Sequence, residues 1–237
     1  MTRLFRLLPL GLLLIAANVF LVGCGSDEES RVRVVHASPD APNVDVLVDG
    51  KSVLTNVPFG TASDYLTVKA GARQIEVRAT GTSQDVINAK PDFASKKDYT
   101  ILAEDFVANI MPQVLIDNNS APDSGKVRVR VVHGAPSAGP VDVYVVAPGS
   151  DISIQTPTIS NLGFKSVTDY LSVPAGSYEV FVTPTGTKTV AISTGTIALA
   201  AGQVRTAVAL DAAGGGTPLT AILLADLNEN PPGPDVK

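Results

Sequence analysis

The sequence predicts an all-β protein in which two tandem immunoglobulin-like antiparallel β-sandwich domains follow a lipoprotein signal peptide. Three observations support this prediction. Apolar residues alternate with polar ones at a period of two, turn-forming residues interrupt these runs about every 8–12 residues, and one set of motifs occurs twice. The chain of 237 residues is long enough for two domains of about 100 residues each.

The composition excludes several other classes of protein. With 45% hydrophobic and 17% charged residues, the chain is too apolar to be disordered and too poor in charge for a coiled coil. Its net charge of −5 argues against a nucleic-acid partner, because such a partner needs a basic surface. One cysteine and two histidines cannot build a disulfide framework and leave few ligands for a metal, so we expect no metal and no cofactor.

The N-terminus resembles a bacterial lipoprotein signal. Two arginines precede the almost wholly apolar residues 7–21, and Cys24 stands between a glycine and a polar, acidic segment. The resemblance implies acylation of Cys24 and removal of residues 1–23 as a signal peptide. An uncleaved transmembrane helix is the alternative, but residues 7–23 number only 17, the short limit for spanning about 30 Å of hydrocarbon.

The same resemblance predicts where the protein resides. Glycine rather than aspartate follows Cys24, which favours the outer membrane of a diderm bacterium. We therefore expect a lipid-anchored protein of the cell envelope, with residues 24–30 as a short charged tether. The lipid on Cys24 is the expected contact with the membrane, and several acyl chains suffice for stable anchoring.

Three motifs recur in the same order, which indicates a tandem duplication. Two are displaced by 97 residues and the third by 105, so the second copy carries eight extra residues around Pro148 to Pro157. The matching segments are Arg33–Pro39 with Arg130–Pro136, Val44–Val46 with Val141–Val143, and Phe59–Gly71 with Phe164–Gly176. We expect the first sandwich at residues 31–117, a linker at 118–125, the second sandwich at 126–227 and a disordered tail at 228–237.

Strand periodicity dominates each copy. Val127, Val129, Val131 and His133 fall on one face of a predicted strand, and the arginines between them fall on the other. Valine, isoleucine and threonine fill these runs, which predicts about seven or eight short strands per copy. No stretch after residue 30 has the pattern of an amphipathic helix. Without a disulfide, each sandwich depends on its aliphatic core.

The paired motifs resemble the bacterial domain of unknown function 4397 family. The shared signature is R-V-V-H-x-x-P, V-D-V and F-x-x-x-S/T-D-Y-L-x-V-x-A-G, and the resemblance covers nearly all of the chain after the signal peptide. It implies an extracytoplasmic β-sandwich, single or in tandem, on secreted and lipid-anchored envelope proteins. The resemblance implies no established biochemical role and identifies no catalytic residue.

His36 and His133 are the first candidates for chemistry. Each ends an alternating strand on the side of its valines, so we expect it to point inward or to lie at the rim. It could act as a general base paired with Asp45 or Asp142, or as a metal ligand. We favour a structural histidine that bonds to the backbone, because both copies keep it in frame and one histidine per domain is too few for a metal.

The serine and tyrosine candidates also have a structural interpretation. Ser38 follows His36 by two residues, but the second copy has Ala135 there and the chain lacks a G-x-S-x-G motif. Tyr65 and Tyr170, each preceded by an aspartate, are expected to bury their rings and to bond through their hydroxyls to the backbone. An aromatic platform for a sugar or a peptide is the alternative, and the absence of tryptophan weakens it.

Neither the aspartates nor the glycine cluster predicts a ligand site. Four aspartates could offer oxygens to calcium, but they lack the spacing of a calcium loop, and turns or a solvated face explain them. They are Asp40, Asp45, Asp49 and Asp85. Gly214-Gly215-Gly216 has no following lysine and is interpreted as a flexible hairpin tip. We expect no catalytic or metal-binding residue, and lipidation at Cys24.

The sequence therefore favours a non-enzymatic, lipid-anchored envelope protein that acts as a structural or protein-interaction module. Its loops Ser38–Pro42 and Pro148–Pro157 are the expected contacts with another envelope component, because loops of rigid sandwiches carry binding residues. A glycan-binding or polysaccharide-processing accessory module is the alternative, and it predicts Tyr65 or Tyr170 exposed in a groove. A hydrolase ranks last, and it predicts a histidine in an open pocket beside a carboxylate.

Overall fold

The computed structural model describes residues 28–226, and these residues form an all-β structure. The signal peptide, the acylated Cys24 and the tail at residues 228–237 are predictions that lie outside the described residues. Within residues 28–226, no helix is long and apolar enough to cross a membrane. The helical segments of this range are two single 3-10 turns, Val107–Asn109 and Ile152–Ile154.

The first copy contains ten strands, two of which are only two residues long. They are β1 Glu29–Ala37, β2 Val44–Val48, β3 Lys51–Val57, β4 Leu66–Lys69, β5 Gly71–Ala72, β6 Ile75–Ala79, β7 Asp85–Ala89, β8 Asp92–Phe93, β9 Asp98–Glu104 and β10 Met111–Asp117. The second copy contains eight strands: β11 Lys126–His133, β12 Val141–Val146, β13 Ile159–Leu162, β14 Leu171–Pro174, β15 Gly176–Pro184, β16 Ile192–Leu199, β17 Val204–Leu210 and β18 Thr220–Ala225.

Both copies arrange their strands in the same way. The first has one sheet in the order β10-β9-β1-β4 and another in the order β3-β2-β6-β7, with a short β5-β8 pair beside them. The second has the orders β14-β11-β17-β18 and β13-β12-β15-β16. Strand pairs are antiparallel except for β1 with β9 and β11 with β17, which are parallel. The sequence prediction of two all-β sandwiches is confirmed, with one parallel pair added to each copy.

The core of the first copy lies between its two sheets. Val32 and Val34 of β1 pack there with Val46 of β2 and with an aromatic pair, Phe93 and Tyr99, whose ring centroids are 5.0 Å apart. These residues alternate along their strands with residues that face the other way. The period-two pattern therefore identifies this core correctly.

The other face of β1 is buried as well, because the two copies pack together. Val35 of β1 and Leu102 of β9 form one apolar cluster with Val132, Val208 and Leu210 of the second copy. Consequently the sheet that contains β1 lies against the sheet that contains β11. From Val32 onward every residue of β1 is buried, so the strand has no solvent-exposed face there.

Candidate functional site

The two histidines lie at the ends of β1 and β11 and face the inside of their own sandwiches. His36 and His133 are both 0% exposed. The Nε2 atom of His36 lies 3.0 Å from the carbonyl oxygen of Pro42, and that of His133 lies 3.1 Å from the carbonyl oxygen of Gly139. Because a carbonyl only accepts, Nε2 carries the proton in both rings. Each histidine thus ties the loop after its strand to the strand end.

Both histidine rings pack against aromatic side chains, and burial favours the neutral imidazole of His36. Each ring meets a phenylalanine edge-on, Phe59 for His36 and Phe164 for His133. Burial lowers the pKa of His36, and the bond to the Pro42 carbonyl only partly opposes this effect. These are the features of the structural histidine favoured by the sequence.

The aspartates of the two V-D-V motifs bond to the backbone of a turn-like asparagine rather than to a histidine. Asp45 Oδ1 accepts a hydrogen bond of 2.8 Å from the Asn56 amide, and Asp142 Oδ1 accepts one of 2.8 Å from the Asn161 amide. Both asparagines have a positive φ, 56° and 54°, which a non-glycine residue adopts only when it is held there. The V-D-V motif therefore stabilises the same left-handed turn in both copies, and no bond among the described residues joins these aspartates to a histidine.

A buried polar network crosses from the first copy to the second. Arg33 of β1, 2% exposed, donates to Thr100 Oγ1 at 2.8 Å, to the Ala225 carbonyl at 3.1 Å and to the Asp226 carboxylate. Asp226 Oδ2 also accepts the hydroxyl of Tyr170 at 2.7 Å. A charge buried in this way is stable only because it is paired and fully hydrogen-bonded.

The same network is repeated in the opposite direction. Arg130 of β11, 3% exposed, donates to the carboxylate of Asp117 at 2.5 Å and to Thr206 Oγ1 at 3.0 Å. Asp117 Oδ2 accepts the hydroxyl of Tyr65 at 2.6 Å and that of Thr100 at 2.6 Å. Each arginine thus reaches across to an aspartate at the end of the other copy, Asp226 directly after β18 or Asp117 at the end of β10. The two copies are joined by a pair of crossed ion pairs.

The tyrosines belong to these networks, which corrects part of the sequence interpretation. Their hydroxyls bond to the carboxylates of Asp117 and Asp226 and not to the backbone. Burial raises the pKa of both Tyr65 and Tyr170. The hydroxyls therefore remain protonated donors to the two carboxylates.

The ring faces of the tyrosines are covered by arginine. The guanidinium of Arg33 lies 4.9 Å from the ring centre of Tyr65. Those of Arg130 and Arg128 lie 4.7 Å and 5.6 Å from that of Tyr170. A groove of about 690 Å³ does border Tyr170, as a glycan site would require. Its ring faces, however, are engaged in cation–π contacts and are not free to stack on a sugar.

The crossing partners were missed by the sequence analysis. Asp117 is the last residue of β10 and Asp226 comes directly after β18, so each aspartate marks the end of a copy. Thr100 and Thr206 occupy equivalent registers of β9 and β17. The signal was the repetition of an arginine in the motif R-V-V-H together with an aspartate at both copy ends. It was not recognised because the paired residues of one network lie 193 positions apart.

The calcium candidates serve separate local structures. Asp40 accepts the amide of Val107, Asp49 accepts that of Gln74, and Asp85 pairs with Arg78. Across residues 28–226, no group of three or more histidine, cysteine or acidic side chains could hold a metal ion. The turn interpretation of these aspartates thus agrees with their contacts.

The glycine cluster and the first loop form part of the junction between the copies. The Gly214 amide donates to the Pro39 carbonyl at 2.7 Å, and a Cβ on Gly215 would lie 2.8 Å from the Phe106 ring. The expectation of a free, flexible hairpin tip is therefore wrong. Ser38 and Pro39 are buried here, so only the later part of the loop Ser38–Pro42 faces solvent.

The inserted loop of the second copy is held in place by one lysine. Lys188 Nζ donates to the carbonyl oxygens of Ile152 at 2.7 Å and Gln155 at 2.5 Å, and it lies 4.4 Å from the centre of the Tyr144 ring. Two isoleucines of the loop's 3-10 turn differ in exposure: Ile152 is buried, whereas Ile154 is 81% exposed. The insertion thus presents an apolar side chain from a fixed backbone.

One known family model matches nearly the whole chain. The model of the family described as a domain of unknown function (DUF4397) matches residues 30–144 and 146–237. No curated protein matches the sequence.

Several solved structures show a low similarity. A streptococcal virulence factor described as binding alpha-glucan is 14% identical, with 71% of this chain and 88% of that one covered and a TM-score of 0.25. The CBM26-family module CBMbc of Eubacterium rectale Amy13K, solved with maltoheptaose, is 9% identical, with 85% and 98% covered and a TM-score of 0.24. A leucine-rich repeat protein from Bacteroides thetaiotaomicron is 14% identical, with 78% and 26% covered and a TM-score of 0.20. Similarities this low carry no inference about function.

Proposed function

This chain belongs to the DUF4397 family of domains of unknown function, and from that premise we propose that it is a non-enzymatic, lipid-anchored protein of the cell envelope. It is held to the outer membrane by acylated Cys24 and binds another envelope protein through the surface around the inserted loop Pro148–Pro157. The observation that carries the proposal is the 81% exposed Ile154, on a loop whose backbone Lys188 holds through the carbonyls of Ile152 and Gln155.

The state of the reactive side chains supports a role in binding. His36 and His133 are buried and bonded to the backbone, and Tyr65 and Tyr170 donate to carboxylates at the junction of the copies. A general base must reach a substrate proton, and no substrate reaches an imidazole that is 0% exposed.

The geometry of the inserted loop supports its role as the contact. An exposed isoleucine on a fixed loop loses little conformational entropy when it becomes buried in a partner. Apolar side chains at the centre of a contact supply much of its binding energy. The loop is present in the second copy and absent from the first, so it adds a surface that the duplicated scaffold alone does not have.

In-cell photo-crosslinking tests the contact. A benzophenone amino acid replaces Ile154 in the full chain, and the control carries it at Ala198, an exposed residue on the outer face of β16. We expect one discrete adduct from position 154 and none from position 198. No adduct at 154, or the same adducts from both positions, would refute the proposed surface. Labelling with radioactive palmitate tests the anchor separately, and the Cys24→Ala variant is expected to lose the label.

A further inference from the structure

The second sandwich contains an apolar cavity between its two sheets that is partly open to solvent. The cavity has a volume of about 520 Å³, within the range of about 300–1,000 Å³ that is usual for small-molecule sites. Aliphatic side chains from both sheets dominate its lining, including Val129, Leu171, Val180, Ile197, Ala207 and Leu223. None of the lining residues belongs to the crossed ion pairs or to the inserted loop. The cavity is therefore a separate feature of the molecule.

Smaller side chains at equivalent registers explain why this space exists. Phe93 of the first copy pairs with Gly71, and in the second copy Leu199 takes its place opposite Gly176. Ile101, which pairs with Val34, is replaced by Ala207, and Ile75, which pairs with Val48, is replaced by Val180. Each replacement removes apolar volume from between the sheets, and the strands have not closed over the gap.

The exposed fractions of equivalent core side chains show the same difference between the copies. Val32, Ile75 and Ile101 are 3%, 2% and 2% exposed in the first core. Their counterparts Val129, Val180 and Ala207 are only partly buried. The side chains that should form the second core thus border open space.

Such a space suits an apolar occupant. A cavity with an aliphatic lining gives water few hydrogen-bond partners, and a cavity of about 150 Å³ with such a lining already binds benzene. Side chains next to an empty gap lose dispersion contacts that an apolar ligand restores. The cavity here is more than three times that size, which leaves room for a flexible hydrocarbon chain.

A cation lies beside the cavity. Arg205 occupies the register of Tyr99, because Tyr99 pairs with Val32 and Arg205 with Val129. It precedes Ala207 by two residues on the same face of β17 and is partly buried. Both Ala207 and its register partner Val129 line the cavity. Burial lowers the pKa of Arg205, and the nearby negative charge of Asp226 partly opposes this effect. Within residues 28–226 its side chain has no hydrogen-bonded partner, so its donors are available to an anion.

We infer that the second sandwich binds a long-chain fatty acid, with the acyl chain between the sheets and the carboxylate at Arg205. The apolar lining, the volume and the adjacent guanidinium together select a ligand that is hydrocarbon along its length and anionic at one end. This site is independent of the contact proposed for Ile154, and either can fail without the other.

Binding of a fluorescent fatty acid tests the inference. The full chain, kept in solution by an amphipathic polymer, is titrated with dansyl-undecanoate, which is then displaced by palmitate, hexadecanol or palmitoyl-lysophosphatidylglycerol. The cavity is filled by Ala207→Ile or Val180→Ile, residues that the first copy carries at these registers and that the fold therefore accommodates. The matched control is Ala198→Ile, on the outer face of β16.

The expected result is a set of differences between variants. Both filling variants should bind the probe at least about tenfold more weakly, and Ala198→Ile should bind it unchanged. Palmitate should displace the probe at least about tenfold better than hexadecanol, and Arg205→Gln should remove that preference, because a charge-assisted bond is lost. Absence of binding, or filling variants that bind as the control does, would overturn the site. Equal displacement by hexadecanol, or better displacement by the lysophospholipid, would overturn the fatty acid as its ligand.

Discussion

Glu104 gives the sharpest prediction about the junction of the copies. It is 0% exposed on β9, and neither of its carboxylate oxygens has a hydrogen-bond partner among the described residues. In the second copy the same register holds Leu210, which belongs to the apolar cluster between the copies. Burial raises the pKa of Glu104 from 4.5 to about 7, and the nearby Lys165 only partly opposes this effect.

The size of the effect follows from the difference between the two pKa values. The folded state holds the proton more tightly than the unfolded state, so folding is favoured most below pH 4.5. Stability then falls as the pH rises to about 7, by about 3 kcal/mol in all. Glu104→Gln removes this titration. We expect the variant to be about 3 kcal/mol more stable relative to the wild type at pH 8 than at pH 4.

Urea unfolding at pH 4, 6 and 8 measures this difference. Glu29→Gln, a change at an exposed position of β1, is the control and should follow the wild type at every pH. Burial lowers the pKa of His36, which gives the opposite pH dependence on the acid side, but His36 is common to all three proteins and cancels. An identical pH dependence in Glu104→Gln and the wild type would contradict the raised pKa of Glu104.

The other predictions concern the networks and the histidines. Asp226→Ala leaves the buried Arg33 without its carboxylate and should lower the free energy of unfolding by about 3–5 kcal/mol in urea denaturation, and a loss below about 1 kcal/mol would contradict a buried pair. Tyr65→Phe removes the hydroxyl that Asp117 accepts, and thermal and urea unfolding should show a loss of about 1–3 kcal/mol with the fold unchanged. His36 should titrate below the ordinary histidine value of about 6.5 in NMR, and a midpoint above that value would contradict its burial.

The sequence predicted the fold well because two signals were local and repeated. The alternation in Lys126–His133 distinguishes strands from helices, and the recurrence of R-V-V-H separates the copies. The same alternation predicted that His36 and His133 point inward or lie at the rim, and both are buried. Periodicity depends only on residues that are close in sequence, so it can be recognised without a structure.

The contacts between the copies could not be predicted in the same way. Arg33 occupies the face of β1 opposite Val32 and Val34, where a charged residue normally indicates solvent, and its partner Asp226 is 193 residues away. Gly214 similarly has the composition of a mobile turn, but its amide bonds to Pro39 in the other copy. Only the packing of the two sheets brings these groups together.

The cavity in the second core could not be predicted from the sequence either. Ala207 and Leu199 are ordinary residues of a β-sandwich core when each is considered alone. Their significance depends on strand registers, which show that Ile101 and Phe93 hold the same places in the first copy. The register of each strand pair is known only from the folded backbone, so these equivalences could not be read from the sequence.

Copy-specific unfolding tests whether the two crossed ion pairs join the copies into one body. With fluorotyrosine in the chain, the fluorine signal of buried Tyr99 reports the first core, and that of buried Tyr144 reports the second copy where β12 lies against Lys188 of the inserted-loop region. We expect both signals to lose their native shifts at one urea midpoint, and Asp226→Ala to lower both midpoints equally although Asp226 belongs to the second copy. Two separate midpoints, or a change confined to Tyr144, would contradict this.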